Sequence, residues 1–250
     1  MAWPVIRPPS IVRDSEFQFM EPRAIVFDMD GVIIDSHPAH RKAWRLFLRT
    51  LGRQVSEEEL AFILDGHKRN DILRHFLGDL PEAELLGYGE LKDGYFRRAS
   101  LSVEPLRGVL RFMQQLRSEG ILLGLATSAS PSRTFSTLER MNVRHYFSAV
   151  ITAADVSHGK PDPAVYRLAC DRLNVDYGTV LAFEDAVSGI QAAREAGLKC
   201  AGVARSPRAE KLLLAGAEFV IENFAGLSLG ILKSKLVPAY RLSNPESAAP

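Results

Sequence analysis

Short apolar runs that alternate with helical patterns constrain the fold of this chain more than any other sequence feature. The runs have the length and β-branched content of buried strands, and the segments between them space apolar residues three and four apart. The predicted strands are residues 24–27, 121–127, 149–152, 179–183, 200–203 and 218–221. This alternation is typical of an α/β fold, a doubly wound parallel sheet with helices on both faces.

One interval, from about Ser36 to Pro105, breaks the alternation because it contains helical patterns and no convincing strand. Within it, Ser56 followed by Glu59 fits a capping box at a helix start. We therefore predict a Rossmann-like core with an inserted all-helical cap after the first strand. The predicted division is a discontinuous core domain of residues 20–36 and 106–232, a cap domain of residues 37–105, and terminal extensions of residues 1–19 and 233–250.

Composition and charge exclude several classes of partner. The 250 residues carry a net charge of +1, so no strong field attracts nucleic acid or an anionic membrane. No apolar run approaches the ~20 residues of a membrane span, and the start of the chain lacks the apolar stretch of a signal peptide. The only cysteines, Cys170 and Cys200, lie in apolar segments and are expected to be buried thiols in a reducing cytoplasm. We expect a cytoplasmic protein whose partner is a small molecule.

Two carboxylates, Asp28 and Asp30, follow the first predicted strand in the stretch AIVFDMDGVIID. Their spacing of two puts both on one side of an extended backbone, and Gly31 permits an unusual backbone angle or a close approach. Taken alone, such a turn is as consistent with solvated acids as with a functional site.

Further polar groups follow the next three strands. They are Thr127 and Ser128 after the second strand, Lys160 after the third, and Glu184 and Asp185 after the fourth. Each has an ordinary explanation, such as helix capping or a solvated charge. All of them, however, fall at the carboxyl edge of the predicted sheet, where ligands bind in such folds. We therefore interpret them as one site.

Carboxylates brought together need a cation, and hard oxygen ligands favour Mg²⁺. The candidate ligands are Asp28 and Asp185, with Glu184 and the backbone carbonyl of Asp30 as further candidates. A phosphate ester suits such a site because the metal can bridge a carboxylate and a phosphoryl oxygen.

The same residues can transfer a phosphoryl group. Lys160, Thr127 and Ser128 can hold the phosphoryl oxygens as charge builds in the transition state. Asp28 can attack phosphorus and form an aspartyl-phosphate. Asp30 can protonate the leaving oxygen and later activate the second nucleophile.

The motifs DMDGVIID, ATS, KPDP and EDAVSGIQAAREAG together resemble the haloacid dehalogenase superfamily, and more narrowly its phosphatase and β-phosphoglucomutase branch with a helical cap. The resemblance covers roughly residues 22–227. The roles it implies are nucleophile for Asp28, acid/base for Asp30, phosphoryl binding for Thr127 and Lys160, and Mg²⁺ binding for Asp185 with Glu184 beside it.

The cap is expected to decide the substrate. His40 and Trp44 match positions of the β-phosphoglucomutases, where His40 is either a solvent-facing helix residue or a site residue and Trp44 is expected to pack in the core. The stretch GHKRNDIL resembles the mutase loop that presents an arginine, here Arg69, to the distal phosphate of the substrate. The candidate substrate-binding residues are Ser128, His40, Gly66, Arg69 and Asn70.

Two departures favour a phosphatase over a mutase. Mutases resemble one another in a cap lysine four residues before a tyrosine, but Leu91 holds that position before Tyr95. Lys92 is one residue late, a helical rotation of ~100°, so we predict that it faces elsewhere. Ala129 also replaces a serine that the mutases share.

We therefore predict a Mg²⁺-dependent phosphohydrolase that acts on a small phosphorylated metabolite, with a sugar phosphate as the expected substrate, as a monomer or weak dimer. One alternative is a β-phosphoglucomutase that interconverts β-glucose 1-phosphate and glucose 6-phosphate. The other is a catalytically silent binding protein with the same fold. Loss of Asp28, Asp30 or Asp185 would mark the silent protein, and all three are present.

Overall fold

The computed structural model describes residues 22–236, and the structural statements below concern this range. Six parallel strands form one sheet in the order β3-β2-β1-β4-β5-β6, and each begins and ends within two residues of its predicted bounds. The strands are β1 (Ala24–Phe27), β2 (Leu122–Ala126), β3 (Ala149–Ile151), β4 (Val180–Glu184), β5 (Lys199–Val203) and β6 (Val220–Ile221). The predicted doubly wound α/β fold with its helical cap is confirmed.

Ten α-helices accompany the sheet in the described part of the chain. Four of them, α1 (His37–Thr50), α2 (Glu57–Ile63), α3 (Arg69–Leu77) and α4 (Glu82–Ala99), lie between β1 and β2 and form the cap. The others are α5 (Val109–Ser118), α6 (Pro131–Arg140), α7 (Ala164–Leu173), α8 (Val187–Glu195), α9 (Arg208–Leu214) and α10 (Leu229–Lys235).

The central strand β1 is apolar at every position because helices cover both faces of the sheet. Ile25 and Phe27 pack into one apolar cluster, whereas Ala24 and Val26 pack into the cluster on the opposite face. All four side chains are fully buried. The strand therefore fixes, in the middle of the molecule, the position at which its carboxyl end leaves the sheet.

The cap has an apolar cluster of its own, which includes Trp44, Phe47, Leu73 and Leu85. Its second helix begins at the predicted capping box, since the Ser56 side chain accepts from the Glu59 amide and the Glu59 side chain accepts from the Ser56 amide. Other cap residues, Ala39, Ala43 and Phe96, pack into the core cluster, and the predicted boundaries at residues 36/37 and 105/106 stay a proposal.

The two chain segments that join the cap to the core run side by side. Ile34 and Pro105 form an antiparallel bridge. The Asp35 amide donates to the Glu104 carbonyl at 3.1 Å, and the Leu106 amide donates to the Ile33 carbonyl at 2.8 Å. The cap is thus connected through a two-stranded hinge.

Two smaller predictions can also be compared with the structure. Cys170 and Cys200 are buried free thiols, as expected. Between residues 22 and 236, none of the helices combines the length and the apolar character needed to cross a bilayer. The predicted extension 1–19 and most of the extension 233–250 lie outside the described residues, although α10 continues to Lys235.

Candidate active site

The strand order brings the predicted site residues to one edge of the sheet. Because β1 pairs with both β2 and β4, the residues that follow these three strands are neighbours. The Asp28 amide continues the ladder by donating to the Phe183 carbonyl at 2.9 Å, which leaves the Asp28 side chain beside that of Glu184. Thr127 follows β2 on the other side. These residues line one cavity of about 340 Å³ between the core and the cap.

Three buried carboxylates, those of Asp28, Glu184 and Asp185, lie together at the core end of this cavity, with one oxygen of each within 4.8 Å of the others. The Lys160 ammonium group donates to Asp28 Oδ1 at 2.6 Å and also to Glu184 Oε1. The Tyr166 hydroxyl donates to the same Glu184 oxygen at 2.6 Å. Lys160 therefore holds two of the three acids in position.

The charge at this end is unbalanced. Burial raises the pKa of the Asp28 carboxyl; the Lys160 charge opposes this rise, and Glu184 and Asp185 reinforce it. Burial alone would lower the pKa of Lys160, but Asp28 and Glu184 outweigh it and raise that pKa, so the amine stays charged. Two cations, Lys160 and Arg208, pair with the three carboxylates, so one negative charge is left over and a further cation would lower the electrostatic free energy of the site.

The donor set fits Mg²⁺, which prefers carboxylate oxygens and keeps part of its water shell. The group that can hold a metal consists of Asp28, Glu184 and Asp185. The carboxylate of Asp30 lies outside this group because other partners bind it. A metal contact of Asp30 is thereby limited to its backbone carbonyl, which stays a prediction.

Asp185 is also held from the side opposite Asp28. His37 Nε2 lies 2.7 Å from Asp185 Oδ2, and Arg208 Nη2 donates to the same oxygen at 3.1 Å and to the Asp185 carbonyl at 2.6 Å. A Cβ atom on Gly31 would lie 2.3 Å from Asp185 Oδ2, and the φ of Gly31 is +74°. A glycine is needed here both for its backbone angle and for the close approach of this carboxylate.

The Asp30 carboxylate forms a bidentate ion pair with Arg133, whose Nη1 donates to Oδ1 at 2.9 Å and whose Nη2 donates to Oδ2 at 2.6 Å. Ser36 Oγ donates to Oδ1 at 2.6 Å, and His40 Nε2 lies 3.2 Å from the same oxygen. Burial acts to raise the pKa of Asp30, but Arg133 and His40 outweigh it and hold the pKa well below its usual range. The structure therefore presents Asp30 in the ionised form, ready to accept a proton.

His40 does not face solvent. It contacts Asp30 and stacks near Phe96, with ring centroids 4.3 Å apart. Burial lowers the pKa of His40 to about 4, although Asp30 acts to raise it. The imidazole is therefore neutral near pH 7.

The cap is docked against the core through the loop of residues 65–68. Ser128 Oγ donates to the Gly66 carbonyl at 2.6 Å, and Lys68 Nζ donates to the Val156 carbonyl at 2.6 Å. The Asp65 carboxylate accepts from the amide of Val187, the first residue of α8, at 3.0 Å. Ser128 and Gly66 thus form a contact between the two parts of the chain.

At the cap end, Arg69 and Asn70 line the cavity as predicted, and Arg69 Nη1 lies 2.5 Å from Asp93 Oδ2. The prediction that Lys92 faces elsewhere is wrong. Lys92 lines the cavity and is 3% exposed, whereas Leu91 is 46% exposed.

The helical register of α4 explains this correction. Its buried residues are Leu85, Gly89, Lys92 and Phe96, which recur at spacings of four, three and four along one face. Lys92 therefore belongs to the row that faces the other cap helices, and its ammonium group lies over the rings of Trp44 and Phe96. The apolar row of α4 was a better guide to this residue than a comparison with the mutases.

Sequence reasoning also missed several residues that contact the site. These are Ser36, His37, Asp93, Arg133, Tyr166 and Arg208. Tyr166, Arg133 and Arg208 reach the acids from helices or helix starts that are distant in sequence, and no motif marks them. Only Ser36 and His37, which directly follow the acidic turn, lie close enough in sequence to that motif to be predicted from it.

The site combines an acidic turn after the central strand, a buried lysine and a second acidic pair at the end of the neighbouring strand. A helical cap is inserted after the first strand. Together these features define a capped phosphoryl-transfer enzyme. Residues 22–197 match the family described as haloacid dehalogenase-like hydrolase, and the chain belongs to this family. It is therefore an enzyme of the hydrolase class.

Characterised relatives act on phosphorylated sugars. The chain is 32% identical over 213 residues to the phosphorylated carbohydrates phosphatase of Thermotoga maritima. This alignment covers 80% of this chain and 94% of that protein. It is 33% identical over 184 residues to the fructose-1-phosphate phosphatase of Escherichia coli, with coverages of 72% and 95%. The β-phosphoglucomutase of Bacillus subtilis is 29% identical over 223 residues, with coverages of 84% and 93%.

Solved structures share the fold. The β-phosphoglucomutase of Clostridium difficile superposes with a TM-score of 0.77 over 86% of this chain and 97% of that one, at 23% identity. At that identity the similarity shows the fold, including the cap, and nothing about the substrate.

Proposed function

We propose that the protein is a Mg²⁺-dependent phosphohydrolase that removes phosphate from a small phosphorylated sugar through an aspartyl-phosphate on Asp28. The observation that supports this most directly is the convergence of Lys160, Glu184 and Asp185 on the Asp28 carboxylate, inside a cavity whose other end is lined by polar cap residues.

In the proposed first step, an Asp28 oxygen attacks phosphorus, and the bond between phosphorus and the sugar oxygen breaks. The leaving oxygen takes its proton from Asp30, which must first take up a proton from solvent because the ion pair with Arg133 keeps its carboxylate ionised in the free protein. Lys160 and Thr127 hold the phosphoryl oxygens, for which the buried ammonium group is already charged. Mg²⁺ bound by Asp28, Glu184 and Asp185 would offset the repulsion between the carboxylate and the phosphoryl group.

In the second step, water attacks phosphorus and gives its proton to Asp30, and the bond between Asp28 and phosphorus breaks. The ion pair of Asp30 with Arg133 supports this role because it stabilises the ionised form that accepts the proton. The neutral His40 next to Asp30 adds a hydrogen-bonding partner without a competing charge.

The substrate-binding role of the cap remains part of the proposal. We assign the sugar end to Arg69, Asn70 and His40, and we add Lys92, which lines the same cavity. Gly66 and Ser128 would act by closing the cap over the substrate, since they bond to each other across the interface. We also propose that the protein acts in the cytoplasm, as a monomer or weak dimer.

A β-phosphoglucomutase is the second candidate. The position of Lys92 favours it, because a second cation in the cap removes one of the two sequence arguments against a mutase. The departure at Ala129 remains, and the phosphatases of Thermotoga maritima and Escherichia coli reported above have a higher sequence identity to this chain than the mutase of Bacillus subtilis.

The test is a screen of hexose monophosphates, with and without Mg²⁺, that follows both free phosphate and isomerised sugar phosphate. We expect phosphate release to exceed isomerisation of β-glucose 1-phosphate, even with a bisphosphate primer. Faster isomerisation would replace our proposal with the mutase. An absence of turnover on sugar and aryl phosphates alike would contradict both.

A further inference from the structure

The cap end of the cavity contains one carboxylate, Asp93, which engages both of the cations around it. Its Oδ2 lies 2.5 Å from Arg69 Nη1, and its Oδ1 lies 3.5 Å from Lys92 Nζ. The Asp93 side chain is 17% exposed and that of Lys92 is 4% exposed. Both ion pairs are thus partly shielded from water, and charges interact more strongly in such an environment than in water.

Neighbouring helices hold this arrangement in place. Arg69 is the first residue of α3, and its guanidinium lies over Gly89 of α4, where a Cβ atom would approach its Cζ to 2.5 Å. Lys92 is fixed by Trp44 and Phe96, with its ammonium group 5.1 and 5.2 Å from the two ring centroids. The pairing with Asp93 is therefore part of the packed cap.

The other cations that line the cavity are also engaged by neighbouring groups. Four lysine and arginine side chains and five carboxylates line it. Arg133 is paired with Asp30, and Lys68 donates to backbone carbonyls of the core. A divalent cation at the core end would compensate one phosphoryl group there. Of the described residues that line the cap end, Arg69 and Lys92 are both paired with Asp93, so neither is a free cation for a second phosphoryl group.

We propose that Asp93 makes the cap end of the site select the uncharged hydroxyl groups of a sugar monophosphate and reject a second phosphate. This inference rests on the proposed phosphatase function and defines its substrate class. Asp93 can accept hydrogen bonds from hydroxyl groups, and Arg69 and Lys92 can donate them, so the three residues together match a polyol.

A second phosphate would meet a different environment. To bind Arg69 it would have to displace a carboxylate from a short charge-assisted bond, and it would then lie next to that carboxylate. Unfavourable contacts of this kind are one of the two ways in which a site rejects a wrong partner. The arrangement also disfavours a mutase, whose cycle passes through a bisphosphate.

The experiment compares fructose 1-phosphate with fructose 1,6-bisphosphate, which differ only in the phosphate at the far end. For the wild-type protein we expect kcat/KM to be at least tenfold higher for the monophosphate. Asp93→Asn should shift this ratio at least tenfold toward the bisphosphate because the amide no longer neutralises Arg69 and Lys92. Turnover of an aryl phosphate, which does not reach the cap end, should change much less than this ratio.

Glu90→Gln is the matched control, since it removes one negative charge from the exposed face of the same helix. Its ratio should equal that of the wild type. The inference is overturned if the wild type uses the bisphosphate as well as the monophosphate, a result that does not depend on any variant folding. It is also overturned if a folded Asp93→Asn protein has the same ratio as Glu90→Gln.

Failure of the proposed function has a different signature, namely no Asp28-dependent turnover of any phosphate ester. Binding then decides the inference, through the shift in melting temperature that each fructose phosphate produces. A larger shift with the monophosphate in the wild type, reversed in Asp93→Asn, supports the selection. Equal shifts contradict it.

Discussion

Asp28 is the residue on which burial, Lys160 and three further acids act at once. Asp28→Asn removes the nucleophile and one metal charge while keeping the shape of the side chain. We expect phosphate release to fall by at least about three orders of magnitude, because a neutral amide does not form the acyl-phosphate. The melting temperature should stay the same or rise, since one buried charge of a repelling group is gone.

Asp35→Asn is the matched control for this change. Asp35 belongs to the same acidic stretch but is exposed. Phosphate release and thermal unfolding measured side by side should separate the two variants. Near-normal turnover by a folded Asp28→Asn protein would contradict the assignment of the nucleophile.

Lys92 predicts a pH dependence of substrate binding. Burial lowers its pKa to about 8, although Asp93 acts to raise it; Arg133 reinforces the lowering and Asp30 opposes it. The ammonium form predominates below about pH 8 and is lost above it. We therefore expect kcat/KM for a sugar phosphate to fall as the pH rises through 8, with the change mainly in KM.

Two comparisons check this origin of the pH dependence. Lys92→Met should have a raised KM at pH 7 and should lack the fall above pH 8. An aryl phosphate, which does not reach the cap end, should lack the fall with the wild-type protein. A fall that persists in Lys92→Met would assign it to another group.

At the scale of single residues, sequence reasoning succeeded where a strand determines the position of a side chain. Asp28 and Thr127 directly follow β1 and β2, and Glu184 is the last residue of β4, so the strand ends alone predict that they meet. It failed for Arg133 and Arg208, whose long side chains reach the acids from α6 and α9. Such contacts depend on the three-dimensional packing of helices, which local patterns do not encode.

At the scale of elements, α4 combines packing and function through Gly89. Gly89→Ala should gain up to about 1 kcal/mol from helix propensity, but the new Cβ would displace the Arg69 guanidinium, a flexible end that can move. We therefore expect a small change in the melting temperature together with a severalfold higher KM for a sugar phosphate. KM for an aryl phosphate should not change.

Gly87→Ala is the control for this prediction. Gly87 lies on the same helix, and a Cβ atom there would meet nothing within 4 Å. This variant should gain the same helix propensity and keep the KM of the wild type. An equal rise in KM in both variants would mean that the helix, and not Arg69, determines the effect.

Some features of the helices and strands could be predicted from the sequence, and one residue of α4 could not. The capping box at Ser56 and the strand bounds follow from local rules, and the structure agrees with them. The prediction for Lys92 is wrong because it follows the resemblance to the mutases, whereas the buried row of α4 determines where this side chain lies. A lysine inside an apolar row is a local conflict, and such conflicts are expected at functional sites.

For the whole molecule, the acids at the core end predict a link between metal binding and folding. A cation that binds only the native state stabilises it by RT ln(1 + [Mg²⁺]/Kd), or about 2.7 kcal/mol at a hundredfold excess over Kd. We expect Mg²⁺ to raise the melting temperature and EDTA to lower it and to abolish turnover.

Asp185→Ala should remove most of this stabilisation, since Asp185 belongs to the metal-binding group. Asp35→Asn should keep it. The measurement is the melting temperature as a function of Mg²⁺ concentration for the three proteins. A wild-type melting temperature and activity that do not respond to EDTA would contradict the proposed metal site.

The two segments that join cap and core form a pair, with Ile34 bridged to Pro105 and backbone bonds on either side. Two chain segments that are paired side by side bend together more easily than they twist or slide past each other. Motion of the cap would thereby be limited essentially to rotation about one hinge axis. Arg69, Lys92 and Asp93 would then approach and leave Asp28 together, so the proposed sugar substrate would meet all three residues in one step.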